Sequence, residues 1–292
     1  MARGVQTVAR TTTDTYAIVV DMNKDNKQRL SIEHYDKILR WLSPSDPSTN
    51  YNEALTQRHP GTGQWLLEDP RYSRWTKEPA SFLWLHGIPG CGKTVLSTTV
   101  IENLKDNARG KVVLYFYFAF SDVQKQNLDH AIRALASQLY DTSQVAVRRH
   151  LDICFASHCD GQRQPSLDTL CKTFQQMTQC AGKLWVVLDA LDECIMEQHR
   201  HELLNWIQDC HAGSSNIHLL VTSRPEQDIQ SAVAKWASID SIIPLQSELV
   251  QKDISSYVCH EVRKGTRLER WRGWADVQQE IEDTLTKKAN GM

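Results

Sequence analysis

Residues 87–94 read Gly87-Ile88-Pro89-Gly90-Cys91-Gly92-Lys93-Thr94, which satisfies the pattern G-x-x-x-x-G-K-[ST] through Gly87, Gly92, Lys93 and Thr94, with Gly90 as an additional glycine. Each residue type answers a chemical need. Glycines let a backbone wrap so that several N–H groups converge on one anion, where side chains would obstruct the approach. Lys93 supplies a point charge, Thr94 a hydroxyl suited to Mg2+, and the helix expected after the loop directs about half a positive charge at the same place. The residues before the loop, Ser81 to His86, read as a short buried strand. After it, Leu96, Val100, Ile101 and Leu104 make one apolar helix stripe, with Gly110 as its stop.

Working outward, the apolar stretches at Lys111–Phe118, Leu184–Leu188, 216–223 and 241–245 read as further strands, with three helix-like stretches between Asn127 and Cys180. Strands apolar on both faces and alternating with helices indicate a parallel sheet covered on both sides. Upstream, Tyr35, Ile38, Leu39 and Leu42 fall on one helix face, which Pro44 and Pro47 end, and a linker-like segment runs through Arg58–Leu67, RHPGTGQWLL.

The stretch Leu184–Glu193, LWVVLDALDE, places Asp189, Asp192 and Glu193 at the C-terminal edge of a strand, where ligands bind in open α/β sheets. Asp189 suits Mg2+ or a water bound to it. Glu193, or alternatively Asp192, suits the orientation and deprotonation of an attacking water. Thr222-Ser223-Arg224 ends the next strand, bringing two hydroxyls and a guanidinium whose planar fork matches phosphate oxygens.

Composition removes other classes. The 292 residues carry 33 Lys plus Arg against 35 Asp plus Glu, a net charge of −2, which disfavours a nucleic-acid-coating surface. With 41% hydrophobic residues, 13 Gly and 9 Pro, the chain is neither collagen-like nor wholly disordered, and its apolar runs are too short to span a bilayer. The eight dispersed cysteines read as reduced thiols, and the N-terminus lacks a signal-peptide core, so a cytoplasmic address is expected. Residues 1–13 faintly echo a mitochondrial presequence, although a disordered tail is the expectation.

Three weaker signals compete. His150, Cys154 and His158 recur at helical spacing as a zinc face would, but no fourth ligand is evident. The His201 and His260 segments miss the zinc-protease signature because Asn205 and Lys264 stand where its second histidine belongs. Gly61-Thr62-Gly63 lacks both the third glycine and the preceding strand of a dinucleotide fingerprint.

The order GIPGCGKT, LWVVLDALDE, LLVTSRPE resembles the NACHT class of STAND P-loop NTPases, and RHPGTGQWLL ahead of FLWLHGIPGCGKT is similar to the nephrocystin-like N-terminal NACHT modules of fungal proteins. The likeness runs from about Trp41 to Met292. It implies a P-loop NTPase three-layer α/β sandwich with a five-stranded parallel sheet in the order 5-1-4-3-2, ATP/ADP and Mg2+ as cofactors, and nucleotide-dependent switching between a monomer and an oligomer. Carried over, Gly87, Gly90, Cys91, Gly92, Lys93 and Thr94 form Walker A, Thr94 and Asp189 hold Mg2+, Asp189, Asp192 and Glu193 form Walker B, and Arg224 is the first sensor. The RHPGTG loop would approach the nucleotide base.

The expected organisation is a tail over 1–26, a helical linker over 27–80 that includes the RHPGTG segment, the P-loop domain over 81–247 and a helical start of a C-terminal region over 248–292. Relatives of this kind continue past the segment matching KKANGM into a winged helix and repeats, so a truncated chain is expected. The expected function is a signalling switch with slow Mg-dependent ATP hydrolysis, acting with copies of itself or a full-length relative. Rivals are a nucleotide-binding scaffold without turnover and a phosphoryl-transfer enzyme such as a small-molecule kinase.

Overall fold

The computed structural model describes residues 29–107, 111–142, 144–194, 197–245 and 247–289. The expectations for residues 1–13, for Gly110 as a helix stop and for the 290–292 terminus lie outside them.

Five strands form one sheet: β1 (Phe82–His86), β2 (Val112–Tyr117), β3 (Leu184–Asp189), β4 (Ile217–Ser223) and β5 (Ile242–Pro244). Their order is β2-β3-β4-β1-β5 and every pairing is parallel, which is the expected 5-1-4-3-2 arrangement. Parallel neighbours need crossovers, and the helices that supply them cover both faces.

Strand alternation divides the core in two. Phe82, Trp84, Leu184, Val186, Leu188, Leu219 and Val221 point to one face, where they pack against α6 (Leu128–Asp141), α8 (Leu167–Cys180) and α9 (Glu197–Gly213). That cluster also takes Leu151 of α7 (Val145–Ser157), Ile229 of α10 (Gln227–Val233), and Ile38, Trp41 and Leu42 of the helix α1 over 29–42. Leu83, Leu85, Trp185, Val187 and Leu220 point to the opposite face, under α5 (Lys93–Asp106). Each large side chain buried in this way contributes about 1.5–3 kcal/mol.

The linker-like reading of the upstream segment is too loose. It folds as α2 (Ser48–Gln57), α3 (Gln64–Glu68) and α4 (Pro70–Lys77), and buries Tyr51, Leu66, Tyr72 and Trp75 in the second cluster. The start of α4 has a local cause: the Asp69 side chain caps the Arg71 amide, and Pro70 occupies the first helical turn. Downstream, α11 (Ser247–Lys264) and α12 (Ala275–Ala289) pack on each other, and Val250 and Ile254 of α11 reach the second cluster.

Among the described residues, no helix is long and apolar enough to cross a membrane. All eight cysteines are free thiols. The helical face of His150, Cys154 and His158 converges on nothing: His150 Nε2 meets Cys180 Sγ at 3.2 Å, Cys154 is buried, and His158 Nδ1 lies 2.7 Å from the Cys154 carbonyl oxygen.

Candidate nucleotide site

The loop 87–92 joins β1 to α5 at the C-terminal edge of the sheet. Gly90 and Gly92 adopt φ of 77° and 86°, a left-handed conformation that L side chains resist. Gly87 is required for a different reason, because a Cβ there would stand 2.7 Å from Cys91 Sγ and 3.0 Å from Leu245 Cβ. Lys93 opens α5, and its ammonium donates to the carbonyls of Gly87 and Ile88, both at 2.9 Å. This positive charge helps push the His86 imidazole below its ordinary range, burial being the larger cause. Burial raises the Cys91 thiol, against the opposing pull of Lys93.

Because Asp189 follows Trp185 and Val187 in strand alternation, its carboxylate falls on the α5 side of the sheet. It is 2% exposed and accepts three hydroxyls: Thr94 at 2.7 Å, Ser97 at 2.5 Å and Thr222 at 2.7 Å. Burial raises its pKa, and the three hydroxyl donors pull in the opposite direction. Thr222 also accepts the amide of Ala190, which turns the chain at φ 60°.

That turn leads into a single 3-10 turn, Leu191–Glu193, which separates the two neighbouring acids. Asp192 turns inward, with a side chain only 4% exposed, and takes the Arg224 amide at 2.9 Å and the Arg224 Nε at 3.0 Å. Glu193 is half-buried, and its Oε2 accepts the Phe120 amide at 3.1 Å. Burial lifts its carboxyl above the usual carboxylate range; the Phe120 bond opposes this, and the nearby Asp192 and Asp189 reinforce it. Ser223 also ends β4 at this edge, but it faces the other side of the sheet and accepts the Trp84 indole at 2.9 Å, so of the two hydroxyls only that of Thr222 reaches Asp189.

A cavity of about 410 Å3 adjoins the loop, walled by Gly90, Cys91 and Val95 on one side and by His59, Thr62 and Tyr257 on the other. The carboxylate of Asp253 closes it from α11, accepting the Gly63 amide at 2.8 Å and the Trp65 indole at 3.1 Å. A larger cavity of about 640 Å3 lies between α9 and α10, lined by residues such as Gln198, Asn205 and Lys235, and includes none of the loop residues.

The model of the family described as nephrocystin 3, N-terminal, matches residues 61–224, more than half of the chain. The chain belongs to that family. It is a NACHT-like P-loop NTPase module. The vegetative incompatibility protein HET-E-1 of Podospora anserina is 25% identical over 235 residues, covering 78% of this chain and 17% of the relative's length. Among solved structures, a Walker-type ATPase of Pyrococcus abyssi aligns at TM-score 0.44 and 14% identity, covering 74% of this chain and 60% of that one. The PCH-2 protein of C. elegans aligns at TM-score 0.31 and 16% identity, covering 78% and 51%.

The site thus unites Thr94 with Asp189 and Asp192 with Arg224, and sets Glu193 on the same turn. Sequence reasoning missed Ser97, the Phe120 amide and Asp253. Ser97 alone had a signal, standing one helical turn after Thr94 and therefore on the same side of α5.

Proposed function

We propose that this chain binds Mg-ATP, hydrolyses it slowly and uses the ATP- and ADP-bound forms as two positions of a signalling switch. One observation carries the reading: a buried carboxylate, Asp189, shared by the phosphate-loop threonine and by Thr222 of the strand that leads into Arg224. The donor set is oxygen only, as Mg2+ prefers, and it fits an ion held by Thr94 Oγ1 and, through water, by Asp189. When bound, the ion supplies charge neutralisation between the terminal phosphates.

The protein's own groups do the remaining work. Lys93 exchanges its two backbone carbonyls for phosphate oxygens. Glu193 Oε2 is fixed by the Phe120 amide, leaving Oε1 to orient water and accept its proton as the new oxygen–phosphorus bond forms and the bond to the departing ADP oxygen breaks. A raised carboxyl pKa makes Glu193 the better base of the neighbouring acids, while Asp192, neutralised by Arg224, positions the sensor. The 410 Å3 cavity suits a purine base, with the RHPGTG loop as one wall.

A second reading, a nucleotide-holding scaffold without turnover, is favoured by the same Phe120 contact, which occupies one oxygen of the Glu193 carboxylate. Association with further copies or with a longer relative accords with the 17% share of HET-E-1 that the chain spans, and eight free thiols suit the reducing cytoplasm.

Phosphate release from Mg-ATP, with thermal shifts by ATP and ADP, tests both. Turnover by the wild type, binding without turnover by Glu193→Gln and no shift in Lys93→Ala support the switch. A shift without phosphate release supports the scaffold, and no shift by any nucleotide in folded protein overturns both.

A further inference from the structure

Arg200 stands on α9, outside every motif of the site, yet all three of its guanidinium nitrogens are engaged. Nε donates to the Cys194 carbonyl at 3.1 Å and Nη2 to the Asp192 carbonyl at 2.7 Å. Nη1 donates to the carboxylates of Glu226 and of Asp228, the latter at 3.2 Å. Its side chain is 13% exposed.

The two carbonyls belong to the turn that carries Glu193; of the two carboxylates, Glu226 lies in the connection just after Arg224 and Asp228 in the first turn of α10. Neither the turn nor the 224–226 connection is part of a strand or an α-helix, and the turn follows Ala190 in a conformation that L residues resist. The helix that holds Arg200 is by contrast anchored, with Leu203, Leu204, Trp206 and Ile207 in the core. A planar fork can span this arrangement, whereas a single ammonium cannot.

The geometry points to Arg200 as a positioning residue that locks the Glu193 turn and the Arg224 loop into one unit. Arg224 crosses to Asp192 on one side of the gap, and Arg200 bridges it on the other. The base and the sensor therefore keep a fixed relation, and whatever displaces one displaces the other. The locking itself is independent of hydrolysis; its kinetic consequence rests on the function proposed above.

The two halves of the clamp can be separated by substitution. Arg200→Lys retains a charge for Glu226 and Asp228 but cannot reach both carbonyls. Glu226→Gln with Asp228→Asn removes the ionic half and leaves the carbonyl half. Amide hydrogen exchange on the full chain reads each segment directly. In Arg200→Lys, exchange over 190–194 should accelerate about tenfold while 226–230 stays near the wild type; in the double variant the pattern should reverse; in Arg200→Ala both should accelerate, with 93–106 unchanged in all three. Single-turnover ATP hydrolysis in Arg200→Lys should fall about tenfold while ADP affinity stays within about twofold, a split that a merely structural loss would not give.

Unchanged exchange at the turn in Arg200→Lys, or acceleration spread evenly through the sheet, overturns the proposal. Wild-type hydrolysis in Arg200→Lys, wherever the wild type turns over, overturns the kinetic consequence. Absence of hydrolysis in the wild type counts against the ATPase reading alone, because the exchange pattern still decides the clamp. If Arg200→Ala fails to fold, the lysine and double variants give the same decision.

Discussion

The hydroxyl of Thr94 lies 2.7 Å from the carboxylate of Asp189, although 95 residues separate them in the chain. The contact joins the helix after the phosphate loop to strand β3, and it makes Asp189 a structural acceptor as well as the proposed partner of the cation.

Substituting Asp189 should therefore separate two effects. Asp189→Ala strands three buried hydroxyl donors and should lower stability by about 1–3 kcal/mol in denaturant titration. Asp189→Asn keeps one acceptor oxygen, enough for the Ser97 and Thr222 hydroxyls, and turns the other position into a donor that the Thr94 hydroxyl can accept, so it should lose less stability than Asp189→Ala while losing about tenfold or more of the Mg2+-dependent part of ATP affinity, measured by calorimetry with and without the ion.

The loop glycines should fail differently. Gly92→Ala forces a side chain into φ 86° and should cost about 1–2 kcal/mol whatever its neighbours. Gly87→Ala suffers instead from crowding against Cys91 Sγ, so adding Cys91→Ala should recover part of the loss. Thermal denaturation of the single and double variants checks both, and failure of Cys91→Ala to relieve Gly87→Ala would contradict the packing argument.

One buried and three half-buried imidazoles set a pH dependence. His218, His86, His130 and His211 are all pushed below 6.5, chiefly by burial. The unfolded chain then binds more protons than the fold at mildly acidic pH, so their stabilisation is full above about pH 6.5 and is lost as pH falls through the depressed folded values. Each such proton steepens the decline by up to about 1.4 kcal/mol per pH unit. Denaturant unfolding between about pH 8 and about pH 5 should show this slope, and His218→Gln should reduce it.

Asp253 should govern how long a nucleotide stays. Asp253→Ala releases the Gly63 amide and the Trp65 indole, two bonds to a charged acceptor worth roughly 1.5–3 kcal/mol each when intact. Dissociation of a fluorescent ADP should quicken in stopped flow, with little change in the contribution of Lys93.

Much of the fold was legible because local pattern and tertiary role agree. Strand β3 is apolar at every position before Asp189, which fits a strand buried on both faces, and the phosphate loop announces the turn between β1 and α5. The three helices over 48–77 were harder to read. Tyr51, Leu66, Tyr72 and Trp75 are spread across three short helices, one or two to each, so no long apolar stripe forms, although Asp69-Pro70 marked one start. At the site, side-chain identity was readable and side-chain orientation was not. Asp192 and Glu193 are adjacent acids in sequence, and only the 3-10 turn sends one inward to Arg224 and the other toward Phe120. Ser223 likewise looked equivalent to Thr222 until strand alternation put them on opposite faces. Contacts such as Asp253 with Gly63 join residues 190 apart, and no local window contains them.

Strand β1 pairs only with β4 and β5, Phe82 lying beside Leu219 and Trp84 beside Ile242. A ribosome makes these partners long after β1 itself. During synthesis the strand that carries the phosphate loop therefore has no ladder to join, and its apolar row, Phe82 to Leu85, must be sheltered by other means until β4 emerges. The cavity beside the loop is completed later still, since Tyr257 of its wall follows β5 in the chain.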